Sequence, residues 1–168
     1  NVFFEASVRV PLMVRLPGRI QPGQYDELVE TIDVLPTLME LCGLPIPEDC
    51  HGRSLLPLIA ERAGDYTPRD AVHSENIIPE VITGGSMDFE FVPGQGIKGI
   101  RHPDAKMIRT DRWKYNYYPE GFAELYDLKN DPHEQHNLAN DPARAATVSE
   151  LKGRILDWLI TATETDQI

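Results

Sequence analysis

Three polar residues, His73, Glu75 and Asn76, close a short run that begins Ala71-Val72. A strand ending this way offers an imidazole, a carboxylate and an amide to whatever lies beyond it, and strand ends feed ligand clefts in open α/β sheets. The same residues also suit a satisfied strand terminus. Further along, Lys98, Arg101, His102, Lys106, Arg109, Arg112 and Lys114 face only Asp104 and Asp111. That local excess reads in two ways: a cationic wall drawing an anionic substrate toward a site, or solvated strand positions ion-paired to an acidic remainder. Lys98, Arg101 and His102 fall in an irregular stretch, where binding groups concentrate, and join His73, Glu75 and Asn76 as candidate substrate contacts. His133-x-x-His136 with Glu134 is not the His-Glu-x-x-His pattern of a helical zinc site. It sits in an Asp-Pro turn and reads as an exposed loop. Cys42 and Cys50 bracket Gly-Leu-Pro-Ile-Pro, a spacing compatible with a disulfide or with two thiols, so the compartment stays open.

The elements that must position these groups differ between the two halves. From Ala105 to Leu128 the chain reads as an antiparallel meander: Ala105–Arg109, a turn at Thr110-Asp111-Arg112, an aromatic strand, a turn at Pro119-Glu120-Gly121, and Ala123–Leu128. Trp113, Tyr115 and Tyr117 alternate with Lys114, Asn116 and Tyr118, the period of a strand with one covered face. A helix can supply the cover, because Ala145, Val148, Leu151, Ile155, Trp158 and Leu159 recur at helical spacing. Asp141 is placed to cap it, with Pro142 at its first position.

The front half is more apolar. Val8 to Leu16, ended by Pro17-Gly18, has the continuous character of a strand buried on both faces, with Leu28–Ile32 and Ala71–Ser74 as candidate neighbours. Asp33 reads as the N-cap of an apolar helix stopped by Gly43, Pro45 and Pro47, and Ser54 as the cap of a short helix at Leu55–Ile59. From Asn76 to Asp104 glycines and prolines break every period, and an irregular stretch of that length is often functional.

With 168 residues the chain can bury one moderate core or two small ones. A net charge of −11 disfavours non-specific binding to nucleic acid or anionic membranes. No apolar run approaches the roughly 20 residues of a membrane helix.

Taken in order, these motifs resemble the C-terminal third of a sulfatase. The resemblance runs through Phe4-Glu5, Arg9-Val-Pro-Leu12, Pro17-Gly18, Ile32-Asp33, Pro36-Thr37-Leu38, Gly43 and Gly52-Arg53-Ser54-Leu55. It continues through Arg109–Tyr115, Glu124–Leu128, Asp131-Pro132, Glu134 and Asn137-Leu138-Ala139, covering nearly the whole chain.

The resemblance implies an α/β fold, the C-terminal part of an alkaline-phosphatase-like architecture. Residues 1–75 would belong to its large α/β domain, 76–104 would form an irregular loop, and 105–168 a small antiparallel sheet packed by a terminal helix. It also implies hydrolysis of sulfate esters, on a carbohydrate or aryl substrate, by a formylglycine made in a Cys/Ser-x-Pro-x-Arg motif with a calcium ion polarising the sulfate. Neither Cys42 nor Cys50 stands in that motif. The nucleophile and the metal ligands are therefore expected upstream, in the N-terminal part of the same protein. This part is expected to be inactive alone and to shape the substrate pocket. The alternatives are a phosphonate or phosphate ester hydrolase on the same scaffold, or a non-catalytic module that packs or binds anionic glycan.

Overall fold

The computed structural model describes residues 3–20, 22–60, 66–76, 90–92, 96–98, 105–119 and 121–164, with the backbone alone for 90–92, 96–98 and 163–164. The chain divides into two compact units, one of residues 1–10 with 73–155 and one of 11–72 with 156–168.

The first unit is built on a four-stranded sheet in the order β1-β4-β5-β6, with β1 at Val72–Asn76, β4 at Ala105–Arg109, β5 at Trp113–Tyr117 and β6 at Ala123–Asp127. A separate two-stranded ladder joins β2 (Glu90–Val92) antiparallel to β3 (Gly96–Lys98). The meander expected from Ala105 to Leu128 is present, with Ile108 opposite Tyr115 and Tyr115 opposite Leu125. Its first turn closes as the Thr110 amide donates to the Trp113 carbonyl at 2.8 Å and the Trp113 amide donates to Thr110 Oγ1 at 2.9 Å. The second turn requires a left-handed residue, which Gly121 supplies at φ +88°.

One sheet face carries Ile108, Tyr115 and Leu125, all buried, and the terminal helix covers it. A 3-10 turn at Pro142–Arg144, capped by Asp141 through the Ala143 amide, leads into the helix at Ala145–Glu164. Its Leu151 and Ile155 are buried, and Lys152 sits 5.0 Å from the Tyr117 ring. The outer edge of β6 is closed by Asn137-Leu138. The Leu138 amide donates to the Leu125 carbonyl, while the Asn137 side chain bonds the Leu125 amide and the Ala123 carbonyl. An edge satisfied in this way offers little template for pairing with another chain.

Trp113 does not share the burial of Tyr115. It stands at the sheet margin, half-buried, with the guanidinium of Arg112 4.7 Å and that of Arg144 5.4 Å from its ring. Trp113→Ala should therefore cost about 1–2 kcal/mol, mostly cation–π and partial burial. Ile108→Ala, in the dry layer under the helix, should cost about 2–5 kcal/mol. Urea melts of the two variants give the comparison directly, and equal losses would show that the ring is core.

The opposite face corrects the expectation of a single covered side. Lys114 and Asn116 are fully buried, because the N-terminal segment lies over them. Phe3 packs with Ala105, Met107 and Tyr118, joined by Val8 and Phe122, and Phe4 stands 6.3 Å from the Tyr126 ring. One helical turn, α1 (Glu5–Val8), follows.

The second unit holds a 3-10 turn at Thr31–Asp33, then α2 (Val34–Leu41) and α3 (Leu56–Ile59). Leu56, Leu58 and Ile59 pack against Ile20, Leu41, Ala60 and Tyr66. Helix α2 ends in the glycine motif expected of Gly43, at φ +68°. The Gly43 amide donates to the Glu40 carbonyl and the Leu44 amide to that of Met39. Ser54 is not the cap expected of it: the N-cap of α3 is Leu55, and Ser54, one residue earlier, accepts the Leu56 amide at 3.1 Å. Both cysteines are free thiols.

A second expectation fails here. Val10 to Val14 is not a buried strand. Val10, Leu12 and Met13 are exposed, and Leu28–Ile32 forms no strand beside them. A strand buried on both faces needs hydrogen-bonded neighbours, and the described residues provide none for this segment. Asp33 does occupy the N-cap position of α2, but no amide of that helix donates to its carboxylate. It is the last residue of the preceding turn, and its carboxylate accepts the backbone amide of Glu30, three residues earlier, in a reciprocal capping box.

Candidate functional site

The densest arrangement of charge in the first unit surrounds Lys114. The Nζ of Lys114, completely buried, donates to the Phe3 carbonyl at 2.7 Å, to Glu134 Oε1 at 2.7 Å and to Glu5 Oε1 at 2.8 Å. An ammonium has three N–H donors, and each has a partner. Glu134 uses its other oxygen to accept the Glu5 amide at 2.6 Å, and Arg109 Nε reaches Glu5 Oε1 at 3.2 Å. Glu134 itself holds φ +55°, a left-handed conformation that a residue with a Cβ keeps only when its surroundings fix it. Burial pushes the Glu5 carboxyl pKa up, but Lys114 and Arg109 outweigh that and hold it below the ordinary glutamate range.

Beside this cluster lies a second polar group. Asn116 Nδ2 donates to Glu124 Oε2 at 2.8 Å and the Tyr118 hydroxyl donates to the same oxygen at 3.0 Å. Burial, then the Glu124 charge, drives the Tyr118 and Tyr126 hydroxyl pKa values far up, so both stay protonated donors.

The second unit has its own knot. Asp33, fully buried, accepts both terminal nitrogens of Arg69 and the amides of Arg53 and Glu30. Arg69 also lies 3.4 Å from Glu30. Thr37 Oγ1 donates to the Asp33 carbonyl and accepts the Leu55 amide, tying α2 to the approach of α3. Burial raises the Asp33 pKa, and the Arg69 guanidinium with the two amides more than reverses this, leaving it depressed.

The sequence candidates divide. His73, Glu75 and Asn76 all lie on β1, the strand beside β4, where the pleat sets His73 and Glu75 on one face and Asn76 on the other; His73 and Asn76 are half-buried and Glu75 exposed. Glu75 pairs with Lys106 at 3.2 Å. Lys98 ends β3, away from regular pairing with the main sheet, and Arg101 and His102 lie outside the described residues.

The cationic wall is not found among Lys106, Arg109, Arg112 and Lys114. These four are ion-paired to Glu75, Glu5, Asp127 and the Glu5–Glu134 pair respectively. Each charge is met by a carboxylate, so the reading as ion pairs to the acidic remainder holds for them. His136 is exposed beside Asp131 at 3.6 Å, and among the described residues no three His, Cys, Asp or Glu side chains gather as a metal site. The carboxylates of the buried clusters already face ammonium, guanidinium and amide donors, an arrangement that excludes a cation rather than holding calcium.

Sequence reasoning missed the partnership of Lys114, Glu5 and Glu134. The available signal was the polar pair Lys114 and Asn116 inside an otherwise aromatic strand, where a solvated face would have been expected to vary in size and charge.

One unit with a small sheet, a helix on one face and the N-terminal segment on the other, and a second unit of short helices define a mixed α/β class of the alkaline-phosphatase-like kind. The family described as N-sulphoglucosamine sulphohydrolase, C-terminal, matches residues 1–75. The Δ4,5-hexuronate-2-O-sulfatase of Bacteroides thetaiotaomicron is 32% identical over 98% of this chain and 31% of its own length. The ulvan-active sulfatase of Formosa agariphila is 30% identical over 92% of the chain and 34% of its own length. Among solved structures, a phosphonate monoester hydrolase from Silicibacter pomeroyi superposes with a TM-score of 0.66 at 26% identity, over 88% of this chain and 28% of that one. The chain thus spans about a third of the length of the relatives it matches. It is identified as the C-terminal part of a sulfatase.

Proposed function

We propose that this chain completes a sulfuric ester hydrolase, shaping the pocket for a sulfated carbohydrate or aryl substrate while the N-terminal part of the protein supplies the chemistry. The observation that carries this is the likeness to two sulfatases along more than nine-tenths of the chain, in motifs that the fold uses. Within the motifs that carry the resemblance, Asp33 and Lys114 are buried, and Glu5 and the Arg53 amide bond to them.

Sulfate ester cleavage needs an in-line nucleophile and positive charge on the non-bridging oxygens. In this reading a formylglycine and a calcium ion, both outside this chain, provide them. The chain's contribution is recognition. His73, Glu75 and Asn76, with Lys98, Arg101 and His102, are the proposed contacts to the group that carries the sulfate.

A phosphonate ester hydrolase on the same scaffold is the second reading, favoured by the superposition on such an enzyme. The full-length protein should release sulfate from an aryl sulfate at least tenfold faster than it cleaves the matching aryl phosphonate monoester (about 1.4 kcal/mol in barrier). The reverse preference would transfer the assignment to the second reading. Because the described meander cations are already paired, residues 1–168 should also pass a heparin column at low salt. Retention would revive a glycan-binding role.

A further inference from the structure

We propose that the exposed apolar surface of the second unit is the seat of the N-terminal part of the same protein, with residues 10–14 pairing as a strand against one of its sheet edges and the outer stripe of α2 packing on it. Naming that occupant rests on the hydrolase reading, whereas the need for one rests on burial. Among the described residues, every exposed large apolar side chain except Val10 belongs to the second unit.

The first unit covers both faces of its sheet, one with the terminal helix and the other with the segment around Phe3. The second unit does the reverse. On α2, Leu35 and Leu38 stand three apart on one helical face at 56% and 53% exposure, continued by Ile32 in the turn before and by Cys42 at the helix end. Pro36 and Thr37, on the other side, are the buried ones. Met13 is 90% exposed, in a run whose composition suits a strand buried on both faces. Apolar side chains gathered outward in this way mark an interaction surface. An extended segment without a ladder partner is the form in which one chain adds to another's sheet edge.

This chain is 31% and 34% of the length of the two sulfatases it matches, so most of such an enzyme is available as cover. A second copy is the poorer fit, because each copy carries a net charge of −11 and like charge opposes association. A part of the same polypeptide is tethered and needs no such encounter.

The test uses the native full-length protein and takes Cys42 as a probe of the α2 stripe. Iodoacetamide should label Cys42 at least about tenfold more slowly than in the same protein unfolded in urea. Amides of residues 12–14 should exchange at least about 100-fold more slowly than in unstructured chain. Leu38→Asp should lower the Tm by about 5 °C, whereas Lys129→Asp, which also places an aspartate at an exposed position, should leave it within about 1 °C. Should Leu38→Asp fail to fold, labelling and exchange in the wild type decide alone.

Cys42 labelled at the unfolded rate, with free exchange at residues 12–14, would overturn the proposal, as would a Tm unchanged in Leu38→Asp. Protection that appears only as the protein is concentrated would overturn it too, by giving the surface to a second copy. Absence of sulfate release by the wild type would overturn the hydrolase reading alone, and Cys42 would still report whether the surface is covered within one polypeptide.

Discussion

Gly52→Ala should leave the chain largely unfolded. A Cβ at residue 52 would stand 2.1 Å from the Ile32 carbonyl oxygen, 2.7 Å from its carbon and 3.1 Å from the Asp33 nitrogen. All three are backbone atoms in the turn that enters α2, so no side chain can swing away. The next residue, Arg53, donates its amide to Asp33 at 2.8 Å, so moving this segment outward would break that bond as well. The expected cost exceeds about 4 kcal/mol, in the exceptional range for a single substitution and comparable to the whole stability of many domains. Soluble yield and a urea transition of the purified variant check it. A loss below about 1 kcal/mol would show that residue 52 does not approach the turn.

Asp33→Asn should cost about 3–5 kcal/mol, because it leaves the Arg69 guanidinium buried against an amide that cannot return its charge. Glu30, at 3.4 Å, compensates only in part. The same carboxylate predicts acid sensitivity. Its folded pKa lies below the unfolded value of about 3.9, so its contribution is fully present above that value and is lost as pH falls through the folded pKa. Glu5, depressed by Lys114 and Arg109, adds to the loss in the same direction. Stability of the wild type should therefore fall steeply below about pH 4, and the fall should be shallower in Asp33→Asn. Parallel slopes for the two proteins would remove Asp33 from that role.

How much of this was legible in the sequence depended on the range of the interactions. The meander could be read because its turns, its period of two and the capped helix are all local signals, and Asp141, Pro142 and Gly121 do what their types suggest. Asp33 was harder. An aspartate ahead of an apolar helix has the look of a cap, yet its partners are Glu30 behind it, Arg53 and Arg69.

Lys114 and Asn116 looked solvated because polar side chains usually are. What buries them arrives from Phe3 and Glu5, over a hundred residues away in the chain, and from a turn whose His-Glu sequence had no evident structural meaning. The apolar run after Val8 failed for the opposite reason. Its composition states a preference for burial between two strands, and composition cannot supply the strands. Among the candidate contacts, the place of His73, Glu75 and Asn76 in one short strand could be read locally, whereas the engagement of Glu75 by Lys106 followed from a pairing of β1 with β4 that no local pattern announces.

Release of inorganic sulfate from an aryl sulfate, measured side by side for the full-length protein and for residues 1–168 alone, bears on the assignment most directly. The full-length protein should turn the ester over and the isolated chain should not, even at high concentration. Turnover by residues 1–168 unaided, or none by the full-length protein, would contradict the division of labour proposed for this fold.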